Sequence, residues 1–600
     1  MKPFDSDGPI QASSFFVAFR SIPRDEEKDF SREGCGTDTA VRTLISQDRR
    51  MIVGFTPRKV LATSSRQTIP GSRCGLILGD TSEFNKAQSD TPMANGVLIE
   101  IDLEAKTARA LTSIVGLPPV YLAEEEGQVV LTSDLTYLNG LLSSRLHFDQ
   151  DGVLALCSYG FPIQHRTLFR NVRLLQGGSS LRLTLEKPIE SERVWEFHPP
   201  EPMVEWQTFL ELQIAAFHSS LRRMDLSQSF LSLTAGLDTR TIFAALVSAG
   251  SSVPAYTLSG ESPSLDAKTA RALCKAYAVP HGTIPLDAEF QRNLADLTVE
   301  ASRLSGGLSS LGQAHQVYLY RKLPEAYAGR VSGNMGNQLG RKGVEHVTMR
   351  AADPAVLVPE LRKRMENLPS FAWASGNTGG LATNSYEFLF QQEFPFTQLG
   401  NYSIGDFFAV QQSPYASRDL IALCDRRPVK KESDKSMSPL HLRLKDLHHR
   451  FLGEPERYSF QRRLILRTGG YVSSYPINWG WRAGGGVSLA GGFRGSLALV
   501  DAYTERAGWD SGIPGKILRT LRINGLHEHR KPKRWLREVL RDFVHDALLS
   551  KETKDAGLFD QATVSRLLEE HYAGRASHHR ALVLALDLAL AARNFRATLG

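Results

Sequence analysis

The sequence predicts an α/β protein with a β-rich first part and a parallel-sheet α/β second part. Three observations carry this reading. Short strand-like runs separated by Gly, Pro, Asp and Ser clusters fill residues 1 to about 195. A Pro/Glu-rich joint follows at His198, Pro199, Pro200, Glu201 and Pro202. Beyond it helical periodicity takes over, around a strand, tight turn and helix at residues 227–250.

The elements follow in order. Strands are expected at residues 15–19, 51–55, 75–78, 96–101 and 129–131, each apolar or alternating and bounded by turn formers. After the joint, an amphipathic helix is expected over 204–223. Further helices with good period fall at 268–277, 313–323 and 535–549. In the last, Leu536, Val539, Leu540, Phe543 and Ala547 share a face. The expected units are 1–195 and 203–600, in keeping with about 100–200 residues per domain as a soft prior.

Composition narrows the function classes. Hydrophobic residues make up 42 % and charged residues 22 % of the 600, an ordinary globular balance. Lys plus Arg (71) exceeds Asp plus Glu (64) by only seven, too little for a nucleic-acid-binding chain. The five cysteines (Cys35, Cys74, Cys157, Cys274, Cys424) form no C-x-x-C pair, which argues against a disulfide framework or zinc knuckle and for a reducing cytoplasm. The longest apolar stretch, 582–592, is interrupted by Asp587 and is too short to span a bilayer. No basic region precedes residues 15–19, so no signal peptide and no membrane partner are expected.

The most informative stretch is SQSFLSLTAGLDTRTIFAALVSAG at 227–250. Residues 230–233 read as a buried strand and 241–248 as a helix. Between them Thr234, Ala235, Gly236, Leu237, Asp238, Thr239 and Arg240 form a small-residue turn. Exposed N–H groups and the positive helix end both point at such a turn, making an anion cradle. Asp238 suits a phosphate site only where a cation sits between carboxylate and phosphate. An ordinary βα turn of a parallel sheet is the alternative.

This stretch resembles the S-G-G-L-D-S-R pyrophosphate loop of the asparagine synthetase superfamily, with Thr for Ser twice and Ala for Gly once. The resemblance continues in the family's order. Pro254 to Leu258, Asp266, Ala270 and His281 resemble its second strand and following helix. Arg330 to Gln338 resemble its S-G-E-G-x-D-E loop. Ser413 to Leu420 resemble its R-x-P-F-L-D-x-x-L segment. In the first part, Gly160 and Thr167 to Arg170 resemble the run that leads out of the family's first domain. The resemblance implies a degenerate Ntn-type αββα sandwich followed by an ATP-pyrophosphatase-type domain with a helical C-terminal half.

The implied chemistry is transfer of AMP from ATP to a carboxylate, with magnesium, and attack by an amine. On this reading Leu233, Thr234, Ala235, Gly236, Asp238, Thr239 and Arg240 hold the pyrophosphate portion. Thr257 and Leu258 read adenine through the strand backbone, and Ser332 and Gly333 contact the nucleotide. Asp238 and Asn337 are the metal positions.

The departures narrow the reaction. Glutamine-hydrolysing members begin with a cysteine directly after the initiator methionine, whereas this chain begins Met1, Lys2, Pro3. An N-terminal nucleophile uses its own α-amine as base, which an internal Cys35 cannot supply. The family's R-D-x-x-G is reduced to Thr112, Ser113, Ile114, Val115 and Gly116. The first part is therefore expected to keep the fold without the glutaminase chemistry. Asn334 stands where asparagine synthetases place a glutamate and β-lactam synthetases a tyrosine, so the position tracks the nucleophile. Asn337 replaces the magnesium aspartate and offers only a carbonyl oxygen.

The family's mobile-loop lysine has no clean counterpart in the basic stretch 516–541; Arg522, Lys531 and Lys533 are its candidates. The glycine run at 484–486 with Gly491, Gly492 and Gly495 is a candidate lid or a plain loop. His527 and His529 have no partner motif for a metal.

The expected function is an ATP-dependent ligase acting on a carboxylate-bearing small molecule or precursor peptide. Without a glutaminase, the amine comes from ammonia, an amine-supplying partner or the substrate itself. The last option implies intramolecular ring closure, as in β-lactam synthetases and lasso-peptide cyclases, where a leader-peptide protease would be a partner. Asparagine synthetase and a non-catalytic nucleotide-binding scaffold are the alternatives.

Overall fold

The computed structural model describes residues 10–20, 41–48, 50–57, 73–84, 90–142, 144–185, 187–197, 205–260, 264–340, 354–365, 387, 389–424, 459–477, 482–483 and 534–599.

Eleven strands form the first part: β1 (Ile10–Arg20), β2 (Arg42–Ile45), β3 (Met51–Pro57), β4 (Arg73–Gly79), β5 (Gly96–Asp102), β6 (Thr107–Leu111), β7 (Tyr121–Glu125), β8 (Gln128–Thr132), β9 (Val172–Leu174), β10 (Ser179–Thr184) and β11 (Glu190–Arg193). All five sequence-predicted strands lie within them. One sheet runs β11-β10-β6-β5-β4 and the other β2-β3-β1-β8-β7-β9, with β1 shared. Ile10 and Gln11 pair parallel with Leu76 and Ile77 of β4; the rest of β1 pairs antiparallel with β3 and β8.

Alternation along the strands builds the sandwich core. Phe15, Val17 and Phe19 of β1 cluster with Leu76, Leu78, Val97, Ile99 and Ile101 of the other sheet. The intervening Phe16 and Ala18 join a second core that includes Val153, Leu154 and Cys157 of α1 (Gln150–Tyr159). On the outer face of the β4–β6 sheet, Ile77, Met93, Leu98 and Leu111 meet Phe84 and Val194. Among the described residues no helix of the first part joins them. One helical layer of the expected αββα sandwich is thus present among the described residues.

The second part is built on a five-stranded, wholly parallel sheet: β12 (Ser229–Ser232), β13 (Ala255–Ser259), β14 (His281–Pro285), β15 (Gly329–Val331) and β16 (Val410–Gln412). Its helices include α2 (Trp206–Arg223), α3 (Leu237–Ser248), α4 (Leu265–Ala276), α5 (Leu294–Leu304), α6 (Ala314–Lys322), α7 (Phe394–Phe408), α8 (Ser459–Thr468), α9 (Arg541–Leu549), α10 (Gln561–Tyr572) and α11 (His579–Phe595). The helix expected at 535–549 is broken. Trp535–Val539 winds as a wider π-type turn, and Leu540 leaves helical geometry (φ −101°, ψ 12°) before α9 begins.

The spatial order β14-β13-β12-β15-β16 reverses direction between β12 and β15. In open parallel sheets that switch point leaves a crevice beyond the carboxyl ends of the two strands, where ligands bind.

The two parts share the second core, where Phe161 stacks on Phe396 and Phe197 on Phe390, and polar groups join them as well. Asn95 donates to the Gln411 carbonyl at 2.8 Å, and Glu83 accepts from the Arg418 backbone N–H at 2.8 Å. Burial pushes the neighbouring Asp80 carboxyl up to about 6. Cys74, Cys157, Cys274 and Cys424 are buried and in no disulfide. No helix among the described residues is long and apolar enough to cross a membrane.

Candidate active site

The loops leaving β12 and β15 meet at the switch point. Leu233, directly after β12, donates its N–H to the Tyr256 carbonyl, and its own carbonyl accepts from Thr257 Oγ1 at 2.7 Å. Thr257 also lies 3.1 Å from His281 Nε2. Desolvation lowers the His281 pKa, favouring the neutral ring that such a contact accommodates. This polar chain fixes the strand ends behind the loop. The Thr257 side chain is buried within it, whereas Leu258 is half-buried.

The turn itself is stapled by side chains. Thr239 Oγ1 accepts from the Thr234 N–H at 3.1 Å and lies 2.9 Å from Thr234 Oγ1. Thr234 Oγ1 accepts from the Gly236 N–H at 3.2 Å, and Asp266 Oδ1 from the Ala235 N–H at 2.8 Å. The N–H groups of residues 234–236 are therefore spent on shaping the turn. α3 begins at Leu237, four residues before its expected start, with Gly236 as an N-cap that has no capping side chain. The first-turn N–H groups of Leu237, Asp238 and Thr239 precede any intrahelical bond, so the helix end rather than the turn offers anion-facing donors.

Asp238 occupies that first turn and is pressed against the β15 loop. A Cβ on Gly333 would come within 2.8 Å of Asp238 Cβ, and one on Gly336 within 2.7 Å of Asp238 Cγ. Only glycine lets the two loops approach this closely. Between the glycines, Met335 is buried with φ +68°, a left-handed conformation that strains a side-chain-bearing residue. Gln461 Nε2 on α8 donates to Asp238 Oδ1 at 2.7 Å and lies 3.1 Å from the Tyr415 hydroxyl. Tyr415 donates to the Asp238 carbonyl at 3.0 Å. Burial and the Asp238 charge hold its phenol well above the ordinary range, so it remains a donor.

Arg240 is a correction. The resemblance assigns it to the pyrophosphate cradle, but its guanidinium is fully buried and donates to the Tyr475 and Pro476 carbonyls at 2.6 and 2.9 Å. Desolvation lowers its pKa to about 10. Its work is to tie the segment after α8 to α3.

Ser332 is buried, and its backbone N–H extends the ladder to the Gln412 carbonyl. Asn334 is half-buried; its carbonyl accepts from Ser413 Oγ at 2.6 Å and its side chain hydrogen-bonds the Tyr402 phenol. Burial raises the Tyr402 pKa, as do the Asp406 and Asp80 charges. Asn337 is half-buried at the start of the short helix Gly336–Gly340. Arg522, Lys531, Lys533, Cys35, His527, His529 and the glycine run from 484 lie outside the described residues.

The crevice thus gathers Thr234, Gly236, Asp238, Thr239, Ser332, Gly333, Asn334 and Asn337 from two loops. Sequence reasoning missed Gln461, which carries no motif, and Tyr415 and Tyr402, which hold the loop residues from behind. Magnesium uses hard oxygen donors, often one or two carboxylates completed by water and substrate phosphates. The Asp238 carboxylate and the Asn337 amide oxygen are donors of that kind. Among the described residues there is no group of three or more His, Cys, Asp or Glu that would form an all-protein metal cage.

No protein-family profile matches the chain, and no curated protein matches it. Among solved structures it is similar to glutamine phosphoribosylpyrophosphate (PRPP) amidotransferase from B. subtilis, complexed with ADP and GMP. That likeness has 9 % identity and a TM-score of 0.20, over 45 % of this chain and 65 % of that one, just under two thirds of its length. It is also similar to NMN synthetase from Francisella tularensis, at 12 % identity and a TM-score of 0.18, over 38 % of this chain and 99 % of that one. At such TM-scores neither neighbour informs the activity; the residues of the crevice do.

Proposed function

We propose that the chain is an ATP-dependent carbon–nitrogen ligase that adenylates a carboxylate, releases pyrophosphate and passes the acyl group to an amine. The observation that carries this reading is the approach of Asp238, on an uncapped helix N-terminus, to the Gly333 and Gly336 loop across the switch point. The first-turn N–H groups of Leu237 to Thr239 and the helix dipole attract phosphate. The turn of Thr234, Ala235 and Gly236 gives the cradle its shape, and the Ser332–Gly333 peptide borders the nucleotide. Asp238, with Asn337 as a neutral second donor, would hold magnesium, which when bound offsets the phosphate charge.

Asn334 favours a tethered amine over ammonia. Neither its amide nor the raised Tyr402 phenol accepts a proton at neutral pH. An amine already on the substrate, held close to the acyl group, gains most from proximity and depends least on a strong base. Closure of a lactam or macrolactam is the finer reading.

Nucleotide product analysis tests the class. Purified protein with ATP, magnesium and a panel of carboxylates carrying internal amines is expected to yield AMP and pyrophosphate in equal amounts, only when a suitable carboxylate is present. ADP and phosphate as products would overturn the adenylation chemistry. ATP binding without turnover on any carboxylate would favour a scaffold.

A further inference from the structure

The face of the parallel sheet turned toward α6 carries a cation that the proposed adenylation does not use. Arg330 lies opposite Phe230 in the β12–β15 register and beside Gln411 of β16. Its Nε donates to Ser232 Oγ at 2.7 Å, and its Nη1 to Gln316 Oε1 at 2.8 Å and the Tyr320 hydroxyl at 3.1 Å. The guanidinium stands 5.7 Å from the centre of the Tyr320 ring. Every one of these partners is neutral. Nη2 donates to none of the described residues, and none of their carboxylates lies within ion-pairing distance of Arg330.

The surroundings make this arrangement specific. On the amino-terminal side of Arg330 the same face is apolar, with Phe230, Tyr256, Tyr320, Tyr327 and Phe408 packed together. On the carboxyl-terminal side, two residues on, Ser332 presents a buried hydroxyl that has no hydrogen-bond partner. Side chains two apart along a strand share a face. Three hydrogen bonds fix the orientation of the fork, and the apolar floor lowers the local dielectric. A charge held in this way interacts strongly with an arriving counter-ion. The Tyr402 phenol that bonds Asn334 also feels the Arg330 charge, so the cation sits beside the crevice rather than remote from it.

We propose that Arg330 is a specificity-determining residue that binds a carboxylate of the acyl substrate other than the one being activated. Nη2 and the Ser332 hydroxyl are the two donors left for its two oxygens. A single guanidinium among neutral groups matches one negative charge, whereas the polyphosphate belongs to the α3 side of the sheet. The substrate class is then a dicarboxylate, or a peptide or small molecule with a second acid group. This inference rests on the ligase reading of the same crevice.

The test is calorimetric titration of the full chain, loaded with α,β-methylene-ATP and magnesium. The probes are succinate, glutarate and adipate, each against its own monoamide. The wild type is expected to prefer at least one diacid over its monoamide by on the order of 10-fold or more. Arg330→Gln is expected to weaken that diacid on the order of 10–100-fold and to erase the preference, with affinity for the nucleotide analogue unchanged. Arg330→Lys, which keeps the charge but not the fork, is expected to fall between them. A wild type without any diacid preference, or a preference that survives in Arg330→Gln, overturns the proposal. The two readings fail separately. A lost preference in a protein that never forms AMP and pyrophosphate leaves the subsite standing without the ligase. AMP and pyrophosphate formed equally from diacids and monoamides leaves the ligase without the subsite.

Discussion

Asp238→Ala is expected to lower pyrophosphate release by about 10²–10³-fold while leaving the chain folded, the scale seen when one electrostatic partner of a developing charge is removed. The side chain is half-buried, at the crevice edge rather than in the core. Its removal leaves the buried Gln461 amide without one acceptor, which costs about 1–2 kcal/mol. That loss shifts the melting temperature but does not unfold a domain of this size. Circular dichroism and a melting curve establish the fold, and a coupled pyrophosphate assay reads the chemistry. Near-normal turnover in the folded variant would exclude the metal-anchoring role.

The two loops of the crevice were legible in the sequence because each is a local pattern. Strand, small-residue turn and helix lie consecutively at 227–250, and the second loop follows its own strand directly. The strands of the sandwich were legible for a similar reason, since alternation is a pattern of neighbours. What holds the site was not legible. Gln461 reaches Asp238 across 223 positions, and Tyr415 reaches it across 177. The motif position of Arg240 says nothing of where a helical side chain points. One turn into α3 it faces the Tyr475 and Pro476 carbonyls instead of the turn. α7 carries no clear helical pattern because Pro395, Gly400 and Gly405 interrupt it; tertiary packing of Phe394, Leu399, Tyr402 and Ile404 sustains it.

Asparagine formation from aspartate and ammonia is expected to be slow, by about 10²–10⁴-fold relative to a site that supplies a general base. Free ammonia is mostly protonated at neutral pH, so an enzyme that uses it benefits from a proton acceptor beside the acyl group. Asn334 has no basic lone pair to offer, and its neighbour Tyr402 is held protonated by burial and by two nearby carboxylates. The measurement is AMP and asparagine production at saturating aspartate, ATP, magnesium and ammonia. Turnover of about 1 per second or more, ordinary for an enzyme on its own substrate, would restore plain asparagine synthesis in place of ring closure.

On the ligase reading, ATP lies across the switch point with its phosphates at the start of α3. A crystal structure with α,β-methylene-ATP and magnesium tests it most directly, because the analogue blocks the bond that adenylation breaks. Phosphate oxygens are expected within hydrogen-bonding distance of the Leu237, Asp238 and Thr239 N–H groups, with the metal on the Asp238 carboxylate. A nucleotide bound elsewhere, or phosphates pointing away from α3 with no metal on Asp238, would contradict it.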